Sequence, residues 1–204
     1  MLEDPNVTPP EDMCPLKAPD TPLDITVHFD KGLAVKVVTP EKTVTDSLEL
    51  FILFNALGKG HGIGLIGIVE NRFIGLKSRD DAPAMTILRL AHISIEGLVL
   101  DGRVRSLRDN LSKQWPKLLY NGFCFSPEEH FCSQRVNGEV RLGLYKGGAY
   151  VLGRTSQEKL YPEKDASMDS LTTFDPSETP GFITINAIRL KKYGLQMAEA
   201  GIEL

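Results

Sequence analysis

Apolar and polar residues alternate in four short stretches, and each consecutive pair of stretches surrounds a turn signal. Ile25, Val27 and Phe29 alternate with Thr26 and His28, and residues 34–38 repeat the habit after Asp30-Lys31-Gly32. A period of two is the mark of a half-buried strand, and glycine supplies the positive φ that a tight hairpin needs. Residues 140–145 and 149–153 flank Lys146-Gly147-Gly148 in the same way, which predicts a second hairpin. Helical spacing takes over between them. Asp46 with Glu49 three residues on is a capping-box-like start. Leu48, Leu50, Phe51, Ile52, Leu53, Phe54 and Leu57 then cover much of the circumference, so this helix is expected to be buried on most sides. Residues 86–96 form a second helical pattern through Ile87, Leu88, Leu90, Ala91 and Ile95. Asp101 caps a third, with Val104, Leu107 and Leu111 on one face, and Pro116 is expected to break it or to open a new segment. From Asn186 a tail carries Ile188, Leu195, Ile202 and Leu204. Gly194 and Gly201 each weaken it by ~1 kcal/mol relative to alanine, so it needs a partner surface to persist as a helix. The pattern predicts an α+β fold, a mixed sheet with hairpins packed on helices, plus a C-terminal tail helix.

Composition adds boundaries. Residues 1–22 hold six of the thirteen prolines, which reads as a lead-in arm before the first strand. With 27 acidic against 23 basic side chains the net charge is −4, which excludes a nucleic-acid groove built from clustered Lys and Arg. No apolar run approaches the ~18–20 residues of a membrane span. Met1-Leu2-Glu3-Asp4-Pro5 has neither the basic start nor the apolar stretch of a signal peptide, so a soluble cytoplasmic protein is expected. The three cysteines, Cys14, Cys124 and Cys132, form no C-x-x-C pair. Cys124, His130 and Cys132 are close in sequence, but Phe123, Phe125 and Phe131 interleave with them and favour ordinary buried thiols over a metal site.

Several tempting motifs dissolve on inspection. Gly62-Ile63-Gly64-Leu65-Ile66-Gly67 has the letters of a dinucleotide fingerprint, but that mechanism needs a strand before the glycines and a helix after them. Here the helix comes first, so the glycines read as its C-cap. Gly58-Lys59 is not a Walker loop, since Gly60 stands where a magnesium-binding hydroxyl should be. His61 and His92 lack a sequence-near group to orient them as bases and read as surface or hydrogen-bonded core residues. No catalytic residue and no metal ligand is assigned. The stretch 68–79 differs, because Glu70, Arg72, Lys77 and Arg79 are set among large apolar residues where charges need partners. Either it is a structural ion-pair network or it binds complementary groups, Glu70 suiting an amino-type group and the basic residues carboxylates or phosphates.

At this stretch the chain resembles a known family. Ile68-Val69-Glu70-Asn71-Arg72 followed by Gly75-Leu76-Lys77-Ser78-Arg79 is similar to the I-V-E-N-R…G-x-K-S-R segment of argininosuccinate synthases. Leu2-Glu3-Asp4-Pro5, Leu119-Tyr120-Asn121-Gly122, Val136-Asn137-Gly138, Leu144-Tyr145-Lys146-Gly147, Val151-Leu152-Gly153-Arg154 and Gly181-Phe182-Ile183 follow in family order. The resemblance covers nearly the whole chain and corresponds to the second half of the family protein. It implies a ligase that activates citrulline with ATP to citrullyl-adenylate, from which aspartate displaces AMP. It makes 23–181 a synthetase-like domain and 182–204 an oligomerisation strand or helix. Glu70 falls at the family's citrulline-contacting glutamate.

The S-G-G-x-D-T-S pyrophosphate loop of the family does not occur in these 204 residues. The resemblance therefore implies that this chain itself binds no cofactor, that ATP and magnesium belong to the complete enzyme, and that the chain is inactive alone. Citrulline and aspartate are the implied substrates and a homo-oligomer the implied assembly. Ser78-Arg79 runs into Asp80-Asp81-Ala82-Pro83 without the tyrosine that the family carries after K-S-R-G. Such departures support an alternative, a truncated non-catalytic paralogue that acts as a binding or oligomerisation partner. A small repurposed enzyme is a third reading.

Overall fold

The computed structural model describes residues 14–66, 80–120, 134–160 and 176–199. Contacts divide the chain into two units, Met1–Leu160 and Tyr161–Leu204. In the first unit, β1 (Leu23–Asp30), β2 (Leu33–Val38) and β3 (Thr43–Val44) are followed by α1 (Ser47–Gly60), β4 (Leu65–Ile66) and β5 (Asp80–Asp81). Helices α2 (Pro83–Val99) and α3 (Gly102–Tyr120) then lead to the hairpin of β6 (Gly138–Tyr145) and β7 (Gly148–Thr155). The second unit contributes α4 (Thr179–Glu199). The α+β class and the C-terminal helix agree with the sequence pattern. The main sheet, however, runs β3-β2-β1-β6-β7 with every described pairing antiparallel, where a mixed sheet was expected. Two-residue hairpins and the direct pairing of β1 with β6 leave no crossover helix to impose a parallel neighbour.

Both hairpins form where the turn signals lie, and both turns are Lys-Gly pairs with positive φ throughout: Lys31 at 48° and Gly32 at 80°, Lys146 at 37° and Gly147 at 83°. That backbone twist matches the right-handed twist of the flanking strands. The register sets Val27 against Val37 on one side and Val140 on the other, so the inner face presents Ile25, Val27, Phe29, Val37, Val140, Leu142 and Leu144, all buried. Helices α1 and α2 cover that face. Asp46 caps α1 by accepting from the N–H groups of Leu48 and Glu49, each at 3.0 Å. Helix α2 starts at Pro83, three residues before the sequence pattern suggests, because a proline at the first helical position has no donor to lose.

Two expectations fail. Helix α1 buries Leu50, Phe54 and Gly58, a stripe one turn wide, while Leu48 is 68% and Ile52 57% exposed. One sheet and one neighbouring helix cover only one side of a helix, whatever its remaining positions hold. Pro116 does not break α3, which continues to Tyr120. Proline's φ is itself helical, and the penalty of about 3 kcal/mol for an interior proline, from its missing donor and its ring clash, is tolerated in a helix of this length.

The described part of the proline-rich arm packs closely. A short 3-10 turn at Pro15–Lys17 lies against two glycines: a Cβ at Gly62 would come within 2.7 Å of the Pro15 Cα, and one at Gly147 within 3.0 Å of its Cβ. Asp20 then accepts from the Tyr145 hydroxyl at 2.7 Å and meets Lys146 Nζ at 2.6 Å, contacts that hold its carboxyl below the usual range. In the second unit α4 buries no residue, and Phe182, Ile185, Leu190 and Leu195 are all exposed. Among the described residues no helix is long and apolar enough to cross a membrane.

One-sided burial of α1 has a direct consequence. Phe54→Ala is expected to cost about 3–5 kcal/mol in urea unfolding, as for a fully buried aromatic. Ile52→Ala should stay within about 0.5 kcal/mol. Equal losses at both positions would contradict the burial described.

Candidate functional site

Glu70, the candidate substrate residue, and the rest of 68–79 lie outside the described residues, as do Cys124, His130 and Cys132. The platform from which the Glu70 segment departs is described. Strands β4 and β5 pair antiparallel, Leu65 with Asp81 and Ile66 with Asp80. Beneath them the end of α1 is locked to the start of α2. The Ala82 N–H donates to the Gly64 carbonyl at 3.2 Å, and the Ala84 N–H donates to Asn55 Oδ1 at 3.1 Å. Glycine is required at this junction. A Cβ at Gly58 would stand 2.5 Å from the Pro83 Cβ, and Gly64, at φ 89°, would place one 2.5 Å from the Pro83 Cα. Within the G-x-G-x-x-G letters, Gly64 thus serves the close approach to the start of α2 and Gly62 the approach of the arm. They form no phosphate cradle, because the amides of His61, Gly62 and Ile63 already donate to the carbonyls of Leu57, Lys59 and Gly58.

A second grouping lies between α2, α3 and the β1–β2 turn. Glu96 is 3% exposed, yet it is ionisable and sits beside the apolar face of α2. Its carboxylate accepts from Arg108 of α3 and lies 3.4 Å from His92 Nδ1, one turn earlier on α2. Arg108 Nε is 3.3 Å from the Asp109 carboxylate, an ion pair without the alignment of a hydrogen bond, and has no hydrogen-bond partner among the described residues. A buried carboxylate needs such a cation, since an unpaired charge here would cost several kcal/mol. Burial pushes the His92 imidazole below its ordinary range. Arg108 and Arg89 add to that effect, against Glu96 and a hydrogen bond to the Gly32 backbone. His92 is therefore neutral near pH 7 and edge-on to Phe29, with ring centroids 5.7 Å apart.

Beside this cluster opens a cleft of about 290 Å³, walled by Phe29, Leu33, Met85, Leu88 and Ile93 with Arg89, His92 and Arg108 as its polar groups. Among the described residues no Ser, Thr, Cys or Lys lines it. Sequence reading had set His92 aside and passed over Glu96 and Arg108. The available signal was the His92/Glu96 spacing of one helical turn with a charge bordering the apolar stripe. His61 proves buried, with its Nδ1 unpartnered and its basicity lowered by burial.

Asn137 is another residue whose importance only the structure reveals. Its Oδ1 accepts from the Lys31 N–H at 2.7 Å, and its amide donates to the Gln134 carbonyl at 2.9 Å and to Glu158 at 2.7 Å. Val136 beside it is fully buried, and Gly138, at φ 141°, would put a Cβ 2.3 Å from the Thr155 carbonyl. Val136-Asn137-Gly138 is thus a structural joint between the two hairpins.

With the architecture in place, residues 1–193 match the family described as arginosuccinate synthase C-terminal domain. The chain belongs to that family. Argininosuccinate synthase of Saccharomyces cerevisiae is 45% identical over an alignment that takes in 100% of this chain and 54% of the yeast protein. The Gallus gallus and Homo sapiens argininosuccinate synthases are each 42% identical over 95% of this chain, covering 50% and 51% of their own lengths. The chain spans about half the length of these relatives.

Among the described residues no group of three His, Cys, Asp or Glu side chains gathers, and the starts of α1, α2 and α3 offer no open phosphate cradle. The N-termini of α1 and α3 hold the carboxylates of Asp46 and Asp101, which would repel phosphate, and α2 opens with Pro83 and an amide already taken by Asn55.

The state of His92 can be tested by pH. Its folded-state basicity is depressed, so the stability it contributes is complete above its usual value near 6.5 and declines as pH falls from there toward the folded value. His92→Gln should flatten that part of the stability profile in urea titrations, while His28 and His61, shifted in the same direction, continue to act in both proteins. Superimposable wild-type and variant profiles would exclude a depressed His92.

Proposed function

We propose that the chain forms the synthetase and assembly part of an argininosuccinate synthase working in cytoplasmic arginine biosynthesis. The reading rests on one observation, the 45% identity to the yeast enzyme along the entire chain, Glu70 and its neighbours included. The reaction joins citrulline to aspartate. The ureido oxygen of citrulline attacks the α-phosphate of ATP with loss of pyrophosphate, and the aspartate amine then displaces AMP. In this reading the Glu70 carboxylate accepts hydrogen bonds from citrulline N–H groups and orients the ureido oxygen. ATP and magnesium are held by residues beyond these 204, so the chain by itself catalyses no ligation. Adenylation depends on phosphates fixed in a preorganised cradle, and the amides of the glycine loop are engaged elsewhere.

Assembly follows from α4 in the same proposal. A helix that buries nothing while exposing Phe182, Ile183, Ile185 and Leu190 is unstable alone in water, and a homo-oligomer covers those side chains. The same tail serves the alternative reading, a non-catalytic paralogue that binds other subunits. The replacement of the family tyrosine by Asp80-Asp81-Ala82-Pro83 favours that second reading.

Citrulline binding separates the two. Calorimetric titration of the chain should show saturable heat that Glu70→Gln weakens at least about tenfold, the loss of one charge-assisted hydrogen bond. A flat wild-type titration would favour the paralogue. Removal of residues 179–204 should lower the mass seen by light scattering, and an unchanged mass would retire the assembly role of α4.

A further inference from the structure

The outer face of the sheet carries a feature that neither the core nor the family reading uses. On this face the register aligns two rows across three strands: His28–Glu139–Thr155, and next to it Thr26–Arg141–Gly153. Glu139 and Arg141 are two residues apart on β6, so both side chains stand on the same side, one pleat repeat from each other. Opposite charges so placed commonly pair, yet these do not. Arg141 makes no ion pair or hydrogen bond among the described residues, while Glu139 faces His28 Nδ1 at 3.3 Å. Burial, with Lys36 nearby, holds the His28 imidazole below its ordinary range, so the partner of Glu139 near pH 7 is uncharged.

A hollow of about 250 Å³ lies here, lined by Thr26, Glu139, Arg141, Leu152, Gly153, Arg154 and Thr155. The Arg154 guanidinium is engaged by α2, donating to Ser94 Oγ at 2.7 Å. Its construction is specific. The register shifts between Arg141 and Leu142, which leaves Leu152 as an extra residue opposite the gap. This bulge turns Leu152 onto the outer face, where its side chain covers Gly143: a Cβ built there would meet the Leu152 methyl at 3.4 Å. Gly153, directly across from Arg141, supplies the floor, and a Cβ placed on it would meet nothing within 4 Å. The hollow thus offers one cation without a partner among the described residues, Arg141, beside the engaged Arg154, with an anion, two hydroxyls and one apolar wall, and space where a side chain would otherwise stand.

We propose that this hollow binds a free α-amino acid with an uncharged aliphatic side chain, its carboxylate on Arg141, its ammonium on Glu139 and its side chain against Leu152. A zwitterion satisfies both charges at once, whereas a simple anion or cation leaves one of them facing a like charge. Thr26 and Thr155 add hydroxyls that donate to the carboxylate or accept from the ammonium. The site stands on the opposite face of the sheet from α1 and α2 and does not depend on Glu70.

The test uses the 204-residue chain, labelled with nitrogen-15 and titrated with L-leucine. Saturable amide shifts are expected at Arg141 and residues 151–155. N-acetyl-L-leucine lacks the ammonium and L-leucinamide lacks the carboxylate, and each should bind about tenfold more weakly. Arg141→Ala and Glu139→Gln should each weaken L-leucine by a similar factor. Gly153→Val fills the hollow with a side chain suited to a strand and should abolish the shifts, with the remaining spectrum unchanged as evidence of an intact fold. Absence of saturable shifts in the wild-type chain would overturn the proposal. So would equal binding by Gly153→Val or by both capped leucines.

Discussion

Strands β1 and β6 lie more than a hundred positions apart in sequence, and their seven paired positions join what would otherwise be two separate hairpins. An isolated two-stranded hairpin is marginal in water, because it has only one face to bury and nothing to bury it against. Pairing β1 with β6 creates a five-stranded sheet and brings Ile25, Val27 and Phe29 beside Val140, Leu142 and Leu144. A slip of β6 by one residue would turn Val140, Leu142 and Leu144 to the solvent face, so the hydrophobic pattern itself enforces the register. The cost is entropic, since pairing strands so far apart in sequence closes a long loop. Asn137 hydrogen-bonds the β1–β2 turn to the approach of β6 at the same end of the sheet.

The helices follow from the sheet. With one face covered in aliphatic side chains, α2 lays Ile87, Ala91 and Ile95 onto it, and α1 takes the adjoining position through Leu50 and Phe54. Small residues decide how close the two helices come. Gly58 and Gly64 admit Pro83, and that contact fixes the base from which the Glu70 segment departs. The buried Glu96–Arg108 pair plays the corresponding part on the other side of α2, holding α3 against it.

Much of this was legible in the residues. Both turns announced themselves through Lys-Gly pairs between alternating runs, Asp46 and Asp101 marked helix starts, and the reversed order of helix and glycines removed a false nucleotide motif. Local chemistry carries such signals because it acts within a few residues. The expected burial of α1 failed for the complementary reason: composition reports how apolar a helix is, and only its neighbours determine how much of it they cover. The Glu96 cluster stayed hidden because Arg108 comes from a different helix. The family of the candidate site was readable from Ile68-Val69-Glu70-Asn71-Arg72, a matter of residue identity rather than of physics.

The sequence by itself thus determined the local elements: which stretches alternate, where chains can turn with positive φ, which carboxylates cap helices, and which family the residues belong to. All but the last depend on interactions between near neighbours, and the last on residue identity, so they survive without knowledge of the fold. Tertiary structure alone decided the central β1–β6 register, the one-sided burial of α1, the neutral state of His92 and the unpaired charges of Glu139 and Arg141. Each of these depends on what stands opposite a residue in space, and for His28 and Glu139 that neighbour is a strand more than a hundred residues away. Alternation on β6 places Glu139 and Arg141 on one face. Only the β7 bulge, which sets Leu152 and Gly153 beside them, makes that face a hollow.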